Sequence, residues 1–334
     1  MTLTATTLDG LVEETARRLG ADRPGPVAVG AVLGEESALH GAAPDTLFEI
    51  GSVSKTFTAL ALARLTVRGA VRWETPLASL LPEARVPERA GRVLTLGQLA
   101  LHTSGLPRLP QGLMPRGPRG GRDPYARCTA DALLAELAGT RLRSVPGERF
   151  RYSSFGTGLL GLALARSTGR SYDGLVGAEI CAPLGMRDTR VELDGERAAR
   201  LALGHSRAGR PRPGWHLADL AGAGGLHSSP ADMLKLALAQ LGDATGELAR
   251  AVAFTHETKR RIHRAHTVHP GWYGTHLPAS LGRHALLFQN GRTGGYHALL
   301  VLAPARQAAV VVLSANARSV DRAGFHLLGR LCAA

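Results

Sequence analysis

The chain has 334 residues, of which 44% are hydrophobic and 20% charged, a composition typical of a globular protein and unlike disordered or fibrous sequences. The formal net charge is +13, but only 3 of the 40 cationic residues are lysine, and the arginines are scattered through the chain. With aromatic residues at only 4%, this pattern indicates compositional bias, and we expect no nucleic-acid partner.

The first part of the chain predicts a helix, a β-hairpin and a second helix. The segment Leu8–Leu19 has helical periodicity, with Asp9 as its expected N-cap. Gly25–Leu33 is an apolar, Val-rich run, and a Gly-Glu turn leads from it into a second short strand. From Ser52 to Val67 the apolar positions again recur with helical spacing.

The middle and the end of the chain differ in character. The middle alternates helical stretches with Pro/Gly loops, and one such loop, residues 108–123, is expected to be mobile and exposed. The predicted helices there are Leu96–His102, Asp131–Leu137, Gly156–Ser167 and Ser171–Ile180. After residue 220 the predicted elements are a helix at Pro230–Leu241, strands at His284–Phe288, Tyr296–Leu302 and Ala308–Leu313, and a final helix at Val320–Leu331.

The strand signals therefore lie near the two ends of the chain and the helical signals lie between them. The simplest fold consistent with this order is an α/β (α+β) fold in which the terminal strands form one antiparallel sheet flanked by the terminal helices. We predict a single domain over residues 1–334. Its α/β part would comprise about 1–70 and 221–334, with a mainly helical insertion at about 71–220.

Cysteine usage and the first segment predict a cellular location. Cys128, Cys181 and Cys332 are far apart and have no metal-ligand spacing, so a reducing compartment fits best. Residues 1–20 lack the pattern of a signal peptide, and no apolar run reaches the length of a membrane span. We therefore expect a cytoplasmic protein without a membrane partner.

The sharpest chemical signal is the pair Ser52 and Lys55 at the start of a predicted helix. A spacing of three residues places both side chains on one helix face. The helix dipole and burial both disfavour the ammonium form of Lys55, so its amine could take the serine proton. A Ser–Lys pair of this kind is a known nucleophile arrangement, although the bare S-x-x-K pattern is weakly specific.

The surrounding motifs are much more specific. They are FEIGSVSKTF at 48–57, LTL at 94–96, LHTSGLP at 101–107, PGERFRYSSFG at 146–156, PLGMRDT at 183–189 and AGAGGL at 221–226. In this order and spacing the chain resembles the class C β-lactamase and D-alanyl-D-alanine carboxypeptidase family of serine hydrolases, which also includes esterases, amidases and transacylases. The resemblance runs from about residue 26 to 330 and implies a β-lactamase/transpeptidase-like fold.

The resemblance also implies a role for Tyr152. In the family a Y-x-N loop places a tyrosine beside the nucleophile, where it exchanges protons with the serine and the leaving group. This chain has Ser154 where asparagine is usual. A hydroxyl is shorter and offers a single donor, so Ser154 is expected to keep part of the substrate-binding role and to leave more room for the acyl group.

The last family motif is a K/H-T-G triplet on an inner strand, and two alignments are possible. One reads residues 292–294, Arg-Thr-Gly, as the triplet. The other reads Gln289, Asn290 and Gly291, keeps the family's spacing to a later glycine and aromatic, and is preferred. The backbone N–H groups of Ser52 and Arg292 would then form the oxyanion hole, while residues 289–291 would bind substrate.

A neutral Gln289 in place of the family's cation weakens the case for a substrate with a free carboxylate. We therefore predict a serine acyl-enzyme catalyst for a small-molecule ester or amide, acting as esterase, amidase or transacylase with an amine or alcohol acceptor, in secondary metabolism. The alternatives are a β-lactamase or D-Ala-D-Ala carboxypeptidase, and a non-catalytic polyanion-binding protein on the same fold. No cofactor is expected, and the sequence does not indicate an oligomeric state.

Thirteen histidines raise the question of a metal site. Three of them, His263, His266 and His269, recur at a spacing of three residues but form no closed ligand set. We expect a solvated segment there and no metal.

Overall fold

The computed structural model of the protein describes residues 7–114 and 123–333. The α-helices are α1 (Leu8–Ala21), α2 (Ser54–Val67), α3 (Leu77–Leu80), α4 (Leu96–Ala100), α5 (Ala130–Gly139), α6 (Ser154–Ser167), α7 (Tyr172–Val176), α8 (Gly195–Ala199), α9 (Pro230–Leu238), α10 (Gly246–Glu257) and α11 (Asp321–Ala333). The strands are β1 (Val27–Leu33), β2 (Glu36–Gly41), β3 (Phe48–Glu49), β4 (His227–Ser228), β5 (Arg260–His263), β6 (His266–His269), β7 (Trp272–His276), β8 (Ala285–Arg292), β9 (His297–Ala303) and β10 (Ala308–Ser314).

One large antiparallel sheet organises the structure. Its strand order is β2-β1-β10-β9-β8-β7-β6-β5, so strand β1 from the start of the chain pairs with β10 from its end. Strands β3 and β4 pair separately in a short ribbon. Among the described residues, those from 42 to 259 contribute no strand to the large sheet. The predicted boundaries of the helical insertion, near residues 71 and 220, stay a prediction.

Successive side chains of a strand point to opposite faces of the sheet, and both faces of this sheet are buried. In β10, Ala308, Val310 and Val312 belong to a hydrophobic cluster with α1 and α11. The residues between them belong to a second, larger cluster that includes α2, α6 and α9. A strand with apolar residues on both faces has to be covered on both sides. The predicted antiparallel sheet flanked by helices is therefore confirmed.

Several element boundaries differ from the prediction. Helix α1 is capped by Thr7, whose hydroxyl accepts a hydrogen bond from Gly10 N at 3.2 Å, whereas Asp9 lies in the first turn and contacts His40. Helix α10 and strands β5–β7 were not predicted. Because β5 and β6 are short, polar and rich in Arg and His, they lack the apolar alternation that marks a half-buried strand.

Strand β8 extends four residues beyond the predicted end, to Arg292. Of the loop predicted at 108–123, residues 115–122 lie outside the described residues. All three cysteines are buried and free, as expected for small apolar side chains. Within the described ranges, no helix combines the length and the apolar character that a membrane span requires.

Candidate active site

Ser52 lies in a sharp turn between β3 and α2. A 3₁₀ turn, Gly51–Val53, leads directly into the helix. Gly51 has φ 50°, a left-handed conformation that favours glycine, and a Cβ there would lie 2.8 Å from the backbone N of Arg292. Glycine at position 51 therefore allows both the turn and the close approach of strand β8, which brings the serine to the N-terminal end of α2.

Lys55 is buried beneath this serine, with only 1% of its surface exposed. Its Nζ donates hydrogen bonds to Ser52 Oγ at 3.0 Å and to the backbone carbonyl of Ala223. No carboxylate of the described residues forms an ion pair with it. A lysine Nζ within hydrogen-bond distance of a serine hydroxyl is placed for proton transfer with that hydroxyl.

Tyr152 approaches Ser52 from the loop before α6. Its hydroxyl donates to Ser52 Oγ at 2.8 Å, and the Lys55 ammonium lies 5.1 Å from its ring centroid. Burial raises the pKa of Tyr152, but the charge of Lys55 and hydrogen bonds with Lys55, Ser52 and Ser154 outweigh burial, so the pKa is lowered from its ordinary value of 10. Tyr152 therefore loses its proton at a lower pH than a free tyrosine does.

The Tyr152 ring is held on two sides by other rings. His102 packs against it with ring centroids 4.6 Å apart, and Tyr273 stacks on it at 6.4 Å. His102 Nδ1 accepts a hydrogen bond from Ser153 N at 3.2 Å. Burial, aided by the charge of Lys55, lowers the pKa of His102 to about 3, so this imidazole is neutral and acts as a fixed support for the tyrosine.

Strand β8 lies against the turn that carries Ser52. A Cβ on Gly291 would overlap the carbonyl oxygen of Ile50 and lie 2.9 Å from Ser52 N. Thr293 N donates to the Tyr296 carbonyl in the β8–β9 hairpin, so in the alternating ladder the N–H of Arg292 points away from β9. The backbone of strand β8, including the amide nitrogen of Arg292, therefore lies close to the backbone of the Ser52 turn.

The predicted substrate-binding residues of β8, 289–291, lie on opposite faces of the strand. Gln289 is on the same face of β8 as Gly291, is 3% exposed and donates its amide to the Asn290 carbonyl at 3.2 Å. Asn290 is on the opposite face, where its amide donates to Asp321 of α11 at 2.9 Å. Because this hydrogen bond directs the Asn290 side chain away from Ser52, its predicted contact with substrate is revised.

A small cavity of about 40 Å³ opens beside Ser52. Ser154, the first residue of α6, lines it, as do Trp215 and Thr293. The sequence leaves open whether Trp215 lines a substrate pocket or fills the core, and the structure places it in the cavity wall. It is brought to the cavity from a long irregular segment, and nothing in the local sequence marks it.

Glu49, three residues before Ser52, is a buried carboxyl behind this cavity. It is 4% exposed, and its Oε1 accepts a hydrogen bond from Trp215 N at 2.9 Å. Burial raises the pKa of Glu49 to about 7, against the opposing effect of hydrogen bonds from Thr293 and Trp215. In the sequence, only the position of Glu49 in an otherwise apolar stretch next to the nucleophile could have indicated a buried carboxyl near the site.

The histidine-rich segment forms strands. His263 and His266 flank the β5–β6 turn, with ring centroids 4.5 Å apart. The ring of His269 bonds instead to the His256 carbonyl and the Thr267 hydroxyl. In the part of the chain that the structure describes, no group of three or more His, Cys, Asp or Glu is arranged to hold a metal ion.

Solved structures resemble this chain over almost its whole length. A β-lactamase/D-alanine carboxypeptidase from Yersinia pestis, complexed with citrate, superimposes with a TM-score of 0.83 at 24% identity and covers 98% of this chain and 99% of that one. A class C β-lactamase from Rhodobacter sphaeroides gives a TM-score of 0.77 at 26% identity, with 98% and 99% covered. These likenesses agree with the fold expected from the sequence motifs.

Curated relatives match over shorter stretches. The D-alanyl-D-alanine-carboxypeptidase/endopeptidase AmpH of Escherichia coli K12 is 32% identical over 192 residues, 57% of this chain and 48% of that protein. Esterase EstB of Burkholderia gladioli is 33% identical over 169 residues, 46% of this chain and 41% of that protein. The matches thus span about half the length of these relatives or less.

The family assignment rests on a longer match. The sequence profile of the family described as Beta-lactamase matches residues 12–331, nearly the whole chain. The matched range contains the turn of Ser52, the loop of Tyr152 and strand β8. The chain therefore belongs to the β-lactamase family.

Proposed function

We propose that this protein is a serine acyl-enzyme catalyst acting on an ester or amide carbonyl of a small molecule. Ser52 is the nucleophile, and Lys55 and Tyr152 exchange protons with it. The observation that carries the proposal is the position of Ser52 Oγ, which lies 3.0 Å from Lys55 Nζ and 2.8 Å from the Tyr152 hydroxyl. Two titratable groups within hydrogen-bond reach of one serine hydroxyl are the signature of an activated nucleophile.

The electrostatics favour Tyr152 as the group that takes the serine proton. Its lowered pKa increases the fraction of phenolate, while the buried Lys55 cation stabilises that phenolate. As Ser52 Oγ bonds to the substrate carbonyl carbon, its proton moves to the phenolate oxygen. The same proton then passes to the leaving oxygen or nitrogen, and the acyl-enzyme remains.

Backbone amides stabilise the negative charge that develops on the carbonyl oxygen. The N–H groups of Ser52 and Arg292 act as the two donors of the oxyanion hole, with Gly291 permitting their close approach. This arrangement supports the alignment of residues 289–291 with the family triplet, because Gly291 is the glycine that packs against the nucleophile turn. Fixed donors of this kind are usually the largest electrostatic contribution to acyl transfer.

The substrate class follows from what surrounds these groups. Gln289 is neutral where many family members have a cation, which favours an ester or amide without a free carboxylate at that position. The esterase named among the relatives supports this choice. The carboxypeptidase relative supports the second candidate, hydrolysis of a D-alanyl-D-alanine peptide. Transfer to an amine or alcohol, as in secondary metabolism, requires that water be kept from the acyl-enzyme.

The proposal is tested by intact-protein mass spectrometry after exposure to para-nitrophenyl acetate. The wild type should gain the mass of one acetyl group and Ser52→Ala should gain none. Ser54→Ala is the matched control, since Ser54 is also in the first turn of α2 but bonds to Leu226 N. Chasing the adduct with water and with amines separates hydrolase from transferase. A wild type that forms no adduct with this ester, a β-lactam or a fluorophosphonate would show that the proposal is wrong.

A further inference from the structure

A second, larger cavity adjoins the one at Ser52. Its volume is about 550 Å³, and the two cavities share Trp215, Arg292 and Thr293 in their walls. A ligand in the large cavity would therefore pass the oxyanion donors before reaching the nucleophile. The small cavity, at about 40 Å³, is too small for most of a substrate, so the larger one has to hold the rest of the molecule.

The wall of the larger cavity is strongly cationic. Arg207, Arg210, Arg212 and Arg292 line it, and no aspartate or glutamate does. Three of the four are exposed, and Arg212 is half-buried. Among residues 7–114 and 123–333, none of these four guanidinium groups forms an ion pair with an acid. Several unneutralised like charges on one concave surface repel each other, and an anionic ligand relieves this repulsion.

The backbone that presents these arginines is fixed. Residues 206–210 form a tight turn in which Ser206 N donates to the Arg210 carbonyl at 2.8 Å. Asn316 Nδ2 donates to the Ser206 carbonyl at 3.0 Å, and Arg318 Nε donates to the Arg207 carbonyl at 2.9 Å. Because the turn is tied to the segment after β10, the guanidinium groups start from an ordered backbone, which reduces the entropy lost on binding.

We propose that this cavity binds a phosphate group of the substrate, so that the acyl donor is a phosphorylated ester or amide; the inference rests on the acyl-enzyme function proposed above. A phosphate monoester has three terminal oxygens and up to two charges, which matches several guanidinium groups with paired N–H donors. A carboxylate has two oxygens and one charge and would leave most of these donors unused. The concave site beside Ser52 favours a small molecule over a nucleic acid.

Binding is tested first, with phenyl phosphate as the probe and Ser52→Ala as the protein, by titration calorimetry at low salt and at about 0.15 M salt. Phenyl phosphate should bind about tenfold or more tightly than phenylacetate, and phenol should not compete. The double variant Arg207→Gln/Arg210→Gln, made in the same background, should lose about tenfold or more of the phosphate affinity.

The matched control is Arg306→Gln/Arg322→Gln, which removes the same charge at two exposed arginines that do not line the cavity. It should keep the affinity within about twofold at 0.15 M salt, because salt screens exposed charges that do not contact the ligand. The proposal is wrong if phenyl phosphate does not bind, or if the two double variants weaken its binding equally.

Kinetics then test whether the bound phosphate belongs to a substrate. The acetate esters of para-hydroxyphenyl phosphate, para-hydroxyphenylacetate and para-methoxyphenol carry the same acyl group. The phosphate ester should acylate Ser52 about tenfold faster than the other two, and Arg207→Gln/Arg210→Gln should abolish the difference. Equal rates would overturn the substrate assignment. If no ester acylates Ser52, the proposed acyl-enzyme function is wrong. The binding of phenyl phosphate would still show whether the cavity is a phosphate site.

Discussion

The hydroxyl of Tyr152 lies 2.8 Å from the Oγ of Ser52, although 100 residues separate the two in the chain. The loop before α6 and the turn before α2 meet at this point, and Lys55 lies beneath both. Since Ser52 Oγ accepts hydrogen bonds from both neighbours, the loss of either one changes the hydrogen bonding of the serine hydroxyl. The three groups therefore act as one unit, and the effects of their substitutions will not add.

Tyr152→Phe removes the hydroxyl and keeps the ring between His102 and Tyr273. The rate of Ser52 acylation should decrease by about 10²-fold, since a general base is lost. In the wild type the rate should increase with pH in a range below 10, because the pKa of Tyr152 is lowered, and Tyr152→Phe should lose this increase. Tyr273→Phe, which keeps the stacked ring, is the control. An unchanged pH profile in Tyr152→Phe would exclude the tyrosine as the base.

Lys55→Met replaces the buried ammonium with an unbranched apolar side chain of similar length. Acylation should decrease by about 10³-fold, because both the hydrogen bond to Ser52 and the charge that stabilises the phenolate are removed. The protein should remain folded, since Met fills a similar volume and its burial does not carry the desolvation cost of an ammonium group. Acylation rates and thermal unfolding, with exposed Lys259→Met as the control, check this. A normal acylation rate in Lys55→Met would contradict the assigned role.

Gly291→Ala tests the contact between β8 and the nucleophile turn. The new Cβ would overlap the Ile50 carbonyl, so either the strand or the turn has to move. Displacing one oxyanion donor should lower the acylation rate by about 10²-fold, and the strain should lower the free energy of unfolding by about 1–3 kcal/mol. Gly177→Ala is the control, since a Cβ there meets nothing within 4 Å. Acylation at the wild-type rate would remove Gly291 from the site.

Glu49→Gln should change how stability depends on pH. Burial raises the pKa of Glu49 from 4.5 to about 7. Between these values the folded chain retains a proton that the unfolded chain releases, so wild-type stability decreases as pH rises through this window. Gln has no such proton, and the free energy of unfolding of Glu49→Gln relative to wild type should rise by about 3 kcal/mol from pH 4.5 to above pH 7. Urea unfolding at several pH values measures this, with exposed Glu88→Gln as the control. If the free energies of unfolding of Glu49→Gln and wild type differ by the same amount at every pH, the pKa of Glu49 is not raised by burial.

Much of the fold could be predicted because it depends on local patterns. Strands β1, β9 and β10, the first half of β8 and helix α2 are rich in apolar residues over several consecutive positions, which marks them as buried elements. Strands β5–β7 could not be recognised, because each is only four or five residues long and the Arg and His residues of β5 and β6 resemble a loop. The predicted N-cap of α1 was wrong. Thr7 and Asp9 are both residue types that cap helices well, and because the helix starts at Leu8 the cap is Thr7.

The site divides in the same way. The spacing of Ser52 and Lys55 is local, so the sequence could predict that they meet. The position of Tyr152 was implied by the family resemblance. Trp215 and Arg207 reach the cavities, and Glu49 reaches Trp215, through tertiary contacts between distant segments, and no short motif encodes such contacts. Asn290 was misassigned because strand alternation places it opposite its neighbours, toward Asp321.

The pairing of β1 with β10 has a consequence for the order in which the protein can become active. A ribosome synthesises the Ser52 turn early, whereas Arg292 at the end of β8 follows 240 residues later and strands β9 and β10 follow later still. A nascent chain therefore has Ser52 and Lys55 without the Arg292 amide, the second proposed oxyanion donor, through most of its synthesis. Because this non-local pairing completes the proposed oxyanion hole, we expect acylation of Ser52 only after the last strands have joined the sheet.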